Sequence, residues 1–127
     1  MKKVLIKVEK TETGFSAYSK KYPAFTTSQN APDLITNMVD SLNGYFEAEN
    51  LKKRVSPSDL SFEMDLTSVF DVFPINVKAL SRRIGMNYTL LSQYATGRKK
   101  PSRNQTHKIL NGIHEVGREL TEVKLMV

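Results

Sequence analysis

The sequence predicts an α+β protein in which a small sheet carrying one helix is followed by a set of helices. In the first half, apolar and polar residues alternate in short runs such as 4–8, which is typical of strands. In the second half, apolar residues recur every three or four positions, which is typical of helices. The 127 residues suffice for one ordinary domain or two very small ones. The change of period predicts two domains, residues 1–65 and 66–127.

The first half predicts the element order β-β-β-α-β. A turn that ends at Gly14, a residue able to adopt positive φ, joins the first two strands into a hairpin. Pro23 precedes the third strand, and Ser56-Pro57-Ser58 precedes the fourth. The alternation places the four strands at residues 4–8, 15–19, 25–28 and 60–64.

The helix of this first domain is predicted from its cap and its apolar stripe. Asn30 can cap it, Pro32 fits its first turn, and Asp33 complements the helix dipole. Lys52-Lys53-Arg54 are expected at its carboxyl end, where they complement the dipole; a second binding patch is the alternative. The predicted buried stripe consists of Leu34, Ile35, Met38, Val39, Leu42, Tyr45, Phe46 and Leu51.

Four helices are predicted in the second domain. The first, capped by Asp65 or Thr67, is expected to bury Val69, Phe70 and Phe73. The second and third are capped by Asn76 and Asn87, and Gly85 and Gly97 end them in left-handed conformations. The fourth runs from about Ser102 to Leu120 with Ile109, Ile113, Val116 and Leu120 inward, and with close packing expected at Gly112 and Gly117. The tail 122–127 alternates like a strand and could pair across a dimer or fold back.

The net positive charge is larger in the second half of the chain than in the first. Residues 1–60 carry nine basic and seven acidic residues, whereas residues 61–127 carry ten and six. No acidic residue lies between Asp71 and Glu115. A polyanion partner explains such one-sided charge better than a merely solvated face does. The basic residues of this stretch are Lys78, Arg82, Arg83, Arg98, Lys99, Lys100, Arg103 and Lys108.

The second and third predicted helices have the pattern of a helix-turn-helix. In that motif two short helices meet at a tight turn and the second lies in the major groove of DNA. Gly85 suits the turn, Leu80 and Ile84 face inward, and Ser81 is small enough for the helix crossing. A base-reading face is predicted from Tyr88, Thr89, Ser92 and Gln93. Asn87, at the start of the helix, can meet a phosphate together with the exposed backbone N–H groups.

Residues 76–102, NVKALSRRIGMNYTLLSQYATGRKKPS, resemble the helix-turn-helix of lambda-type (Cro and XRE) repressors. The matching positions are Leu80, Ser81, Gly85, Ser92, Tyr94, Gly97, Pro101 and Ser102. The resemblance implies that Tyr88, Thr89 and Gln93 read bases. It implies phosphate contacts for Asn76, Thr96, Arg98 and Lys100, and the predicted phosphate-contacting set also includes Lys78, Asn87 and Lys99.

The first half resembles the partial RNase H-like domain of HicB antitoxins. The resemblance rests on a first strand, the Gly14-Phe15 pair opening a second, a short strand through 25–27 and an amphipathic helix. It implies an antitoxin-type transcriptional regulator: the first domain binds a HicA-like RNA-cleaving toxin, and the second represses its own operon by binding operator DNA. A regulator without a toxin, or an inactive nuclease-like RNA-binding module, are the alternatives.

The sequence argues against an enzyme, a metal site and a cofactor. Metal-dependent nuclease chemistry requires converging carboxylates, but Glu9 and Glu12 flank a turn, while Glu63 and Asp65 lie on the polar face of a strand. His107 and His114 have no third ligand beside them, and there is no cysteine. No apolar run approaches the ~20 residues of a membrane span. The lack of cysteine favours a reducing compartment, so a cytoplasmic location is expected. A lone helix-turn-helix binds weakly, which predicts a homodimer or higher oligomer on double-stranded DNA.

Overall fold

The computed structural model describes residues 2–127. The chain divides into two compact units, Met1–Phe73 and Pro74–Val127. This division lies further along the chain than the predicted boundary at 65/66, so that the helix of residues 66–72 groups with the sheet. None of the helices in residues 2–127 combines the length and the apolar character that a bilayer crossing requires.

The first unit contains a four-stranded mixed sheet, and the predicted β-β-β-α-β order is confirmed. The strands are β1 (Val4–Lys10), β2 (Phe15–Ser19), β3 (Phe25–Ser28) and β4 (Leu60–Glu63), and the helix α1 (Ala31–Ala48) connects β3 to a short 3₁₀ helix (Pro57–Asp59) before β4. The strand order in the sheet is β3-β2-β1-β4. β1 and β3 are antiparallel to β2, whereas β4 runs parallel to β1 with Phe62 opposite Ile6.

The core of this unit lies between α1 and one face of the sheet. Asn30 caps α1 by accepting the backbone N–H of Asp33, which confirms the predicted start of the helix. Ile6 on β1 and Met38 on α1 are completely buried. The other core residues are Val4, Val8, Phe15, Ala17, Ala24, Leu34, Leu42, Phe46, Val55 and Leu60.

The segment after α1 corrects two predictions. The helix ends at Ala48, so Leu51 is exposed and Lys52-Lys53-Arg54 lie beyond the last turn, too far along to complement the dipole. Lys53 instead packs on the aromatic ring of Tyr22, and its ammonium donates a hydrogen bond of 3.0 Å to the Tyr22 hydroxyl. This hydrogen bond lowers the pKa of Tyr22.

The structural reason for glycine at position 14 differs from the predicted one. The backbone N–H of Thr11 donates to the Gly14 carbonyl (2.8 Å), but Gly14 is not in a positive-φ conformation. A Cβ atom there would lie 2.7 Å from Cα of Gln29 and would overlap the Ser28 carbonyl oxygen. Glycine is therefore required by the close approach of the chain after β3.

The short helix α2 (Leu66–Val72) packs on the sheet unit. Its cap is Asp65, whose carboxylate accepts the backbone N–H of Ser68 (2.8 Å), and this bond lowers the pKa of Asp65. Val72 packs against the sheet core, and Asp71 forms an ion pair with Lys10. The predicted inward position of Phe73 is wrong, because Phe73 is exposed just after the helix ends, whereas Val69 and Phe70 are half-buried.

The second unit consists of α3 (Val77–Ile84), α4 (Tyr88–Ala95) and α5 (Arg103–Leu120). Asn76 and Asn87 cap α3 and α4 as predicted, and Ser102, near the predicted start of the last helix, caps α5. The buried residues of this unit include Leu80, Met86, Leu91, Tyr94 and Ile109. The predicted inward position of Leu120 is wrong, because Leu120 is 64% exposed. Residues 122–127 do not fold back as a strand within the chain.

Candidate nucleic-acid interface

The connection between α3 and α4 is a tight turn of three residues. Gly85 adopts a left-handed conformation (φ 67°, ψ 36°), as predicted, and the backbone N–H of Met86 donates to the Ser81 carbonyl (2.9 Å). Met86 is buried and thereby anchors the turn in the core. The hydroxyl of the buried Ser81 donates to the Lys78 carbonyl (2.7 Å), so this small polar side chain is satisfied inside the unit.

α5 fixes the position of α3 through close packing at Gly112. A Cβ atom on Gly112 would overlap the Cγ2 methyl of Ile84 and lie 3.4 Å from Cδ1 of Leu80. The close packing predicted at Gly112 is confirmed, whereas that predicted at Gly117 is wrong, since nothing lies within 4 Å of a Cβ there.

One side of α4 is buried and the other is available to a ligand. Leu91 and Tyr94 face the core, while Tyr88 and Thr89 are exposed and Ser92 and Gln93 are half-buried. The four predicted base-reading side chains therefore share the side of α4 that faces away from the core. None of them makes a hydrogen bond within residues 2–127, so their donors and acceptors remain for a ligand.

The two asparagines predicted to contact phosphate already act as caps. The side-chain oxygen of Asn76 accepts the N–H of Ala79 (3.0 Å), and that of Asn87 accepts the N–H of Leu90 (3.1 Å). Only the NH₂ groups of these two side chains are then left to donate. The first N–H groups of α3 and α4 have no intrahelical acceptor, so both helix starts offer donors to an anion.

The predicted phosphate contact of Thr96 competes with an internal bond. The Thr96 hydroxyl donates to the Ser92 carbonyl (2.9 Å). A hydroxyl has one hydrogen and a phosphate oxygen only accepts, so Thr96 has to give up that bond to contact a phosphate.

The loop after α4 presents three consecutive basic residues. Gly97 adopts positive φ (80°) and reverses the chain, and the N–H of Lys99 donates to the Gln93 carbonyl (3.2 Å). The loop is therefore held beside the carboxyl end of α4. Arg98, Lys99 and Lys100 are all exposed.

The difference in net charge between the two structural units is larger than the difference between residues 1–60 and 61–127. Residues 1–73 carry nine basic and ten acidic residues, a net charge of −1, while residues 74–127 carry ten and three, a net of +7; the two sum to the +6 of the chain. All three carboxylates of the second unit, those of Glu115, Glu119 and Glu122, lie in its last part.

Arg83 differs from the other basic residues of the acid-free stretch. Its guanidinium lies 3.8 Å from the Glu115 carboxylate and is bonded to that of Glu119, so α5 neutralises it. Sequence reasoning missed this pairing because the partners are more than thirty positions apart along the chain. Within residues 2–127, no ion pair is formed by Lys78, Arg82, Arg98, Lys99, Lys100, Arg103 and Lys108.

Comparison with protein-family models, curated proteins and solved structures finds no match for this chain. The chemistry of the interface follows from its own side chains. Among the described residues, no three carboxylate or imidazole groups gather where they could hold a metal ion. The second unit offers a short helix with unbonded polar side chains, two helix starts and, in its acid-free stretch, seven unpaired cations. This arrangement is suited to a polyanion.

Proposed function

We propose that the chain is a DNA-binding transcriptional regulator whose second unit binds operator DNA through a helix-turn-helix formed by α3 and α4. The observation that carries the proposal is the combination on this unit of seven unpaired basic residues before Glu115, no competing carboxylate in the same stretch, and a polar outer side of α4. α4 acts as the recognition helix in the major groove, and the cations contact the phosphate backbone.

Base reading is assigned to the outer side of α4. The Gln93 amide can bond N6 and N7 of one adenine together, and the hydroxyls of Thr89 and Ser92 can bond either kind of base edge. Tyr88 projects from the first turn and contacts a sugar or a thymine methyl. An RNA ligand would call for several stacking aromatics, but Tyr88 is the only exposed Phe, Tyr or Trp in the described residues of this unit, and the exposed His107 and His114 lie on α5, not on α4.

Phosphate binding is assigned to the loop after α4 and to the two helix starts. Arg98, Lys99 and Lys100 lie in an exposed loop beside the end of α4, and Lys78 follows the start of α3. The NH₂ groups of Asn76 and Asn87 add donors at the helix starts. These groups fix the position of the protein on the duplex without reading sequence.

For the first unit we propose binding of a HicA-like toxin, which makes the chain an antitoxin and not an enzyme. Support comes from the Gly14-Phe15 pair at the start of β2 and from the β-β-β-α-β order, the features of the HicB resemblance. The domain would be a partial RNase H-like fold, and the protein would act in the cytoplasm as a homodimer. Full-length protein should bind and inhibit an RNA-cleaving toxin encoded beside its gene. If it binds DNA but no such toxin, the antitoxin proposal is wrong and the protein is a regulator without a toxin.

DNA binding is tested with duplexes that the full-length protein enriches from a random-sequence pool. Gln93→Ala should lose about 1–3 kcal/mol of binding free energy on the enriched duplex and little on a scrambled one, because the amide contacts base edges only. Arg98→Ala should weaken both duplexes similarly and reduce the slope of log K against log salt by about one unit, since one fewer counterion is released. Fluorescence anisotropy at several salt concentrations measures both effects.

Lys52→Ala is the matched control, because Lys52 is an exposed lysine on the oppositely charged first unit and forms no ion pair within residues 2–127. It should change neither affinity nor salt slope. If no duplex is enriched, or if Lys52→Ala lowers the salt slope as much as Arg98→Ala, the assignment of DNA binding to the second unit is wrong.

A further inference from the structure

Five of the nine basic residues of the first unit lie in two stretches of chain that contain no carboxylate. The first stretch, residues 13–32, includes the connection between β2 and β3, and the second, residues 50–58, follows α1. None of the five forms an ion pair within residues 2–127. They are Lys20, Lys21, Lys52, Lys53 and Arg54.

The ring of Tyr22 brings the two stretches together. The ammonium of Lys53 lies 5.3 Å and that of Lys21 5.5 Å from the centre of this ring. The ring packs edge-on against the buried Phe46, with 4.9 Å between the ring centres. The hydroxyl of the buried Ser19 accepts the backbone N–H groups of Lys21 and Tyr22, which orders the connection. The pKa of Tyr22 is lowered most by the Lys53 hydrogen bond and further by the charge of Lys21.

The stretch that carries Lys53 and Arg54 is fixed to α1. The side chain of Asn43 accepts the backbone N–H of Val55 (2.8 Å) and donates to the Val55 carbonyl (3.0 Å), and Val55 is buried. One nitrogen of the Arg54 guanidinium donates to the carbonyls of Leu51 (2.8 Å) and Lys53 (2.7 Å). Both stretches are therefore ordered before a ligand arrives, so binding does not have to order a loop.

The free hydrogen-bonding groups around Tyr22 are donors. The Tyr22 hydroxyl accepts from Lys53, and its own hydrogen has no acceptor in the described residues. Lys21 and Lys53 each keep at least two ammonium hydrogens, and Arg54 keeps Nε and its second terminal nitrogen. We call Lys21, Tyr22, Lys53 and Arg54 the donor cluster. Such a set of cationic donors binds anionic oxygen most strongly.

The surroundings favour an isolated carboxylate over a nucleic-acid backbone. The first unit has a net charge of −1, and the exposed Glu47 and Glu49 lie at the end of α1, just before the stretch of Lys53. A nucleic-acid strand carries a charge at every nucleotide and would meet these carboxylates beside the cluster. Two ammoniums already lie over the Tyr22 ring, so a stacking base would compete with them. A single carboxylate on a protein surface avoids both costs.

We propose that the donor cluster is a docking site for an acidic segment of a protein partner, which places an Asp or Glu carboxylate between the ammoniums of Lys21 and Lys53. The site lies on the unit to which no DNA contact is assigned, and the inference holds whether or not the partner is the toxin proposed above. The cluster is open to solvent, so the charged bonds are screened and a short acidic peptide binds weakly.

An NMR titration of the full-length chain at low salt tests the site with the peptide acetyl-Ala-Glu-Ala-Glu-Ala-amide. The Tyr22 ring and the side-chain N–H groups of Lys53 and Arg54 should shift in a saturable way, and the peptide with Gln in place of both Glu should leave them unchanged. Shifts in the second unit do not count, because its net charge of +7 also attracts acidic peptides. Absence of a shift at Tyr22, or an equal shift with the Gln peptide, overturns the inference.

Lys21→Met separates docking at the cluster from general attraction by charge. The substitution leaves the Lys53–Tyr22 hydrogen bond in place and should weaken peptide binding at Tyr22 by about two- to fivefold, the effect of one exposed ion pair. Lys20→Met is the matched control, since it removes the same charge from the adjacent position. Lys20 lies beside Lys7, on the face of the sheet that α1 does not cover, and its loss should leave binding unchanged. Equal weakening in the two variants contradicts docking at the cluster.

A thymidine trinucleotide, which has two phosphodiester charges where the peptide has two carboxylates, distinguishes the two classes of partner. At equal concentration it should shift the Tyr22 ring less than the Glu peptide does. If it shifts Tyr22 as much or more, the cluster binds a nucleic-acid backbone and the assignment to a protein partner is wrong.

Discussion

Replacing Gly112 with alanine tests the packing that holds α5 against α3. The new methyl would overlap the Cγ2 atom of Ile84 and lie 3.4 Å from Cδ1 of Leu80. The Cγ2 methyl branches directly from Cβ, so it moves only if the stiff χ1 angle of Ile84 changes or the two helices separate. Relief by a small side-chain adjustment is therefore not available.

Two opposing effects determine the size of the change. Alanine in a helix interior is favoured over glycine by about 1 kcal/mol, whereas overpacking a filled site costs about 1–3 kcal/mol. Gly112→Ala should therefore lower the free energy of unfolding of the second unit by about 0–2 kcal/mol. Gly117→Ala, with open space on the same helix, should raise it by about 1 kcal/mol.

Native-state hydrogen exchange of the α5 amides is the assay, because it reports on the second unit even when the two units unfold separately. Protein is kept dilute so that self-association does not contribute. Ile84→Leu removes the Cγ2 methyl while keeping the volume, and in combination with Gly112→Ala it should recover about 1 kcal/mol or more in a double-mutant cycle. Equal protection in Gly112→Ala and Gly117→Ala would refute the steric argument.

Three further predictions concern the first unit. Asp65→Ala should cost about 1 kcal/mol at neutral pH by removing a helix cap. Since the pKa of Asp65 is lowered in the folded state, this contribution is fully present above its unfolded-state pKa and is lost as the pH falls through the folded-state value, so urea melts of the two proteins should start to converge only below about pH 4. Gly14→Ala should destabilise by about 1–3 kcal/mol, because its Cβ meets backbone atoms that cannot move aside, whereas Gly44→Ala should not destabilise in the same thermal melts. Lys53→Met should raise the pKa of Tyr22 by removing the hydrogen bond that lowers it, and an NMR titration of the tyrosine rings that finds no change would contradict that cause.

Local signals in the sequence were sufficient to predict most elements. Strand alternation located the four strands, and the caps at Asn30, Asn76 and Asn87 located three helix starts. These features depend on neighbours within a few positions. The left-handed conformations of Gly85 and Gly97 were predicted for the same reason, because helix ends select glycine through their own backbone geometry.

The features that could not be predicted depend on partners distant in sequence. The alternation of apolar and polar residues locates strands but does not indicate which strands pair, so the parallel pairing of β4 with β1 was not predicted. The need for glycine at Gly14 arises from a carbonyl on another strand, and the neutralisation of Arg83 arises from α5. Leu120 fits the helical period of α5 and was therefore expected inside, but periodicity does not show which apolar stripe of a helix is covered.

The parallel pairing of β1 with β4 has a consequence for how the first unit folds during synthesis. β1 is an inner strand of the sheet, but the strand that covers one of its edges is made only after β2, β3 and α1. Until then Val4, Ile6 and Val8 lie on a strand whose free backbone groups can pair with another chain. Because long-range pairs are slow to close, we expect the pairing of β4 with β1 to be the slow step in folding of this unit. A nascent chain stopped before Leu60 should therefore be the species most prone to aggregate.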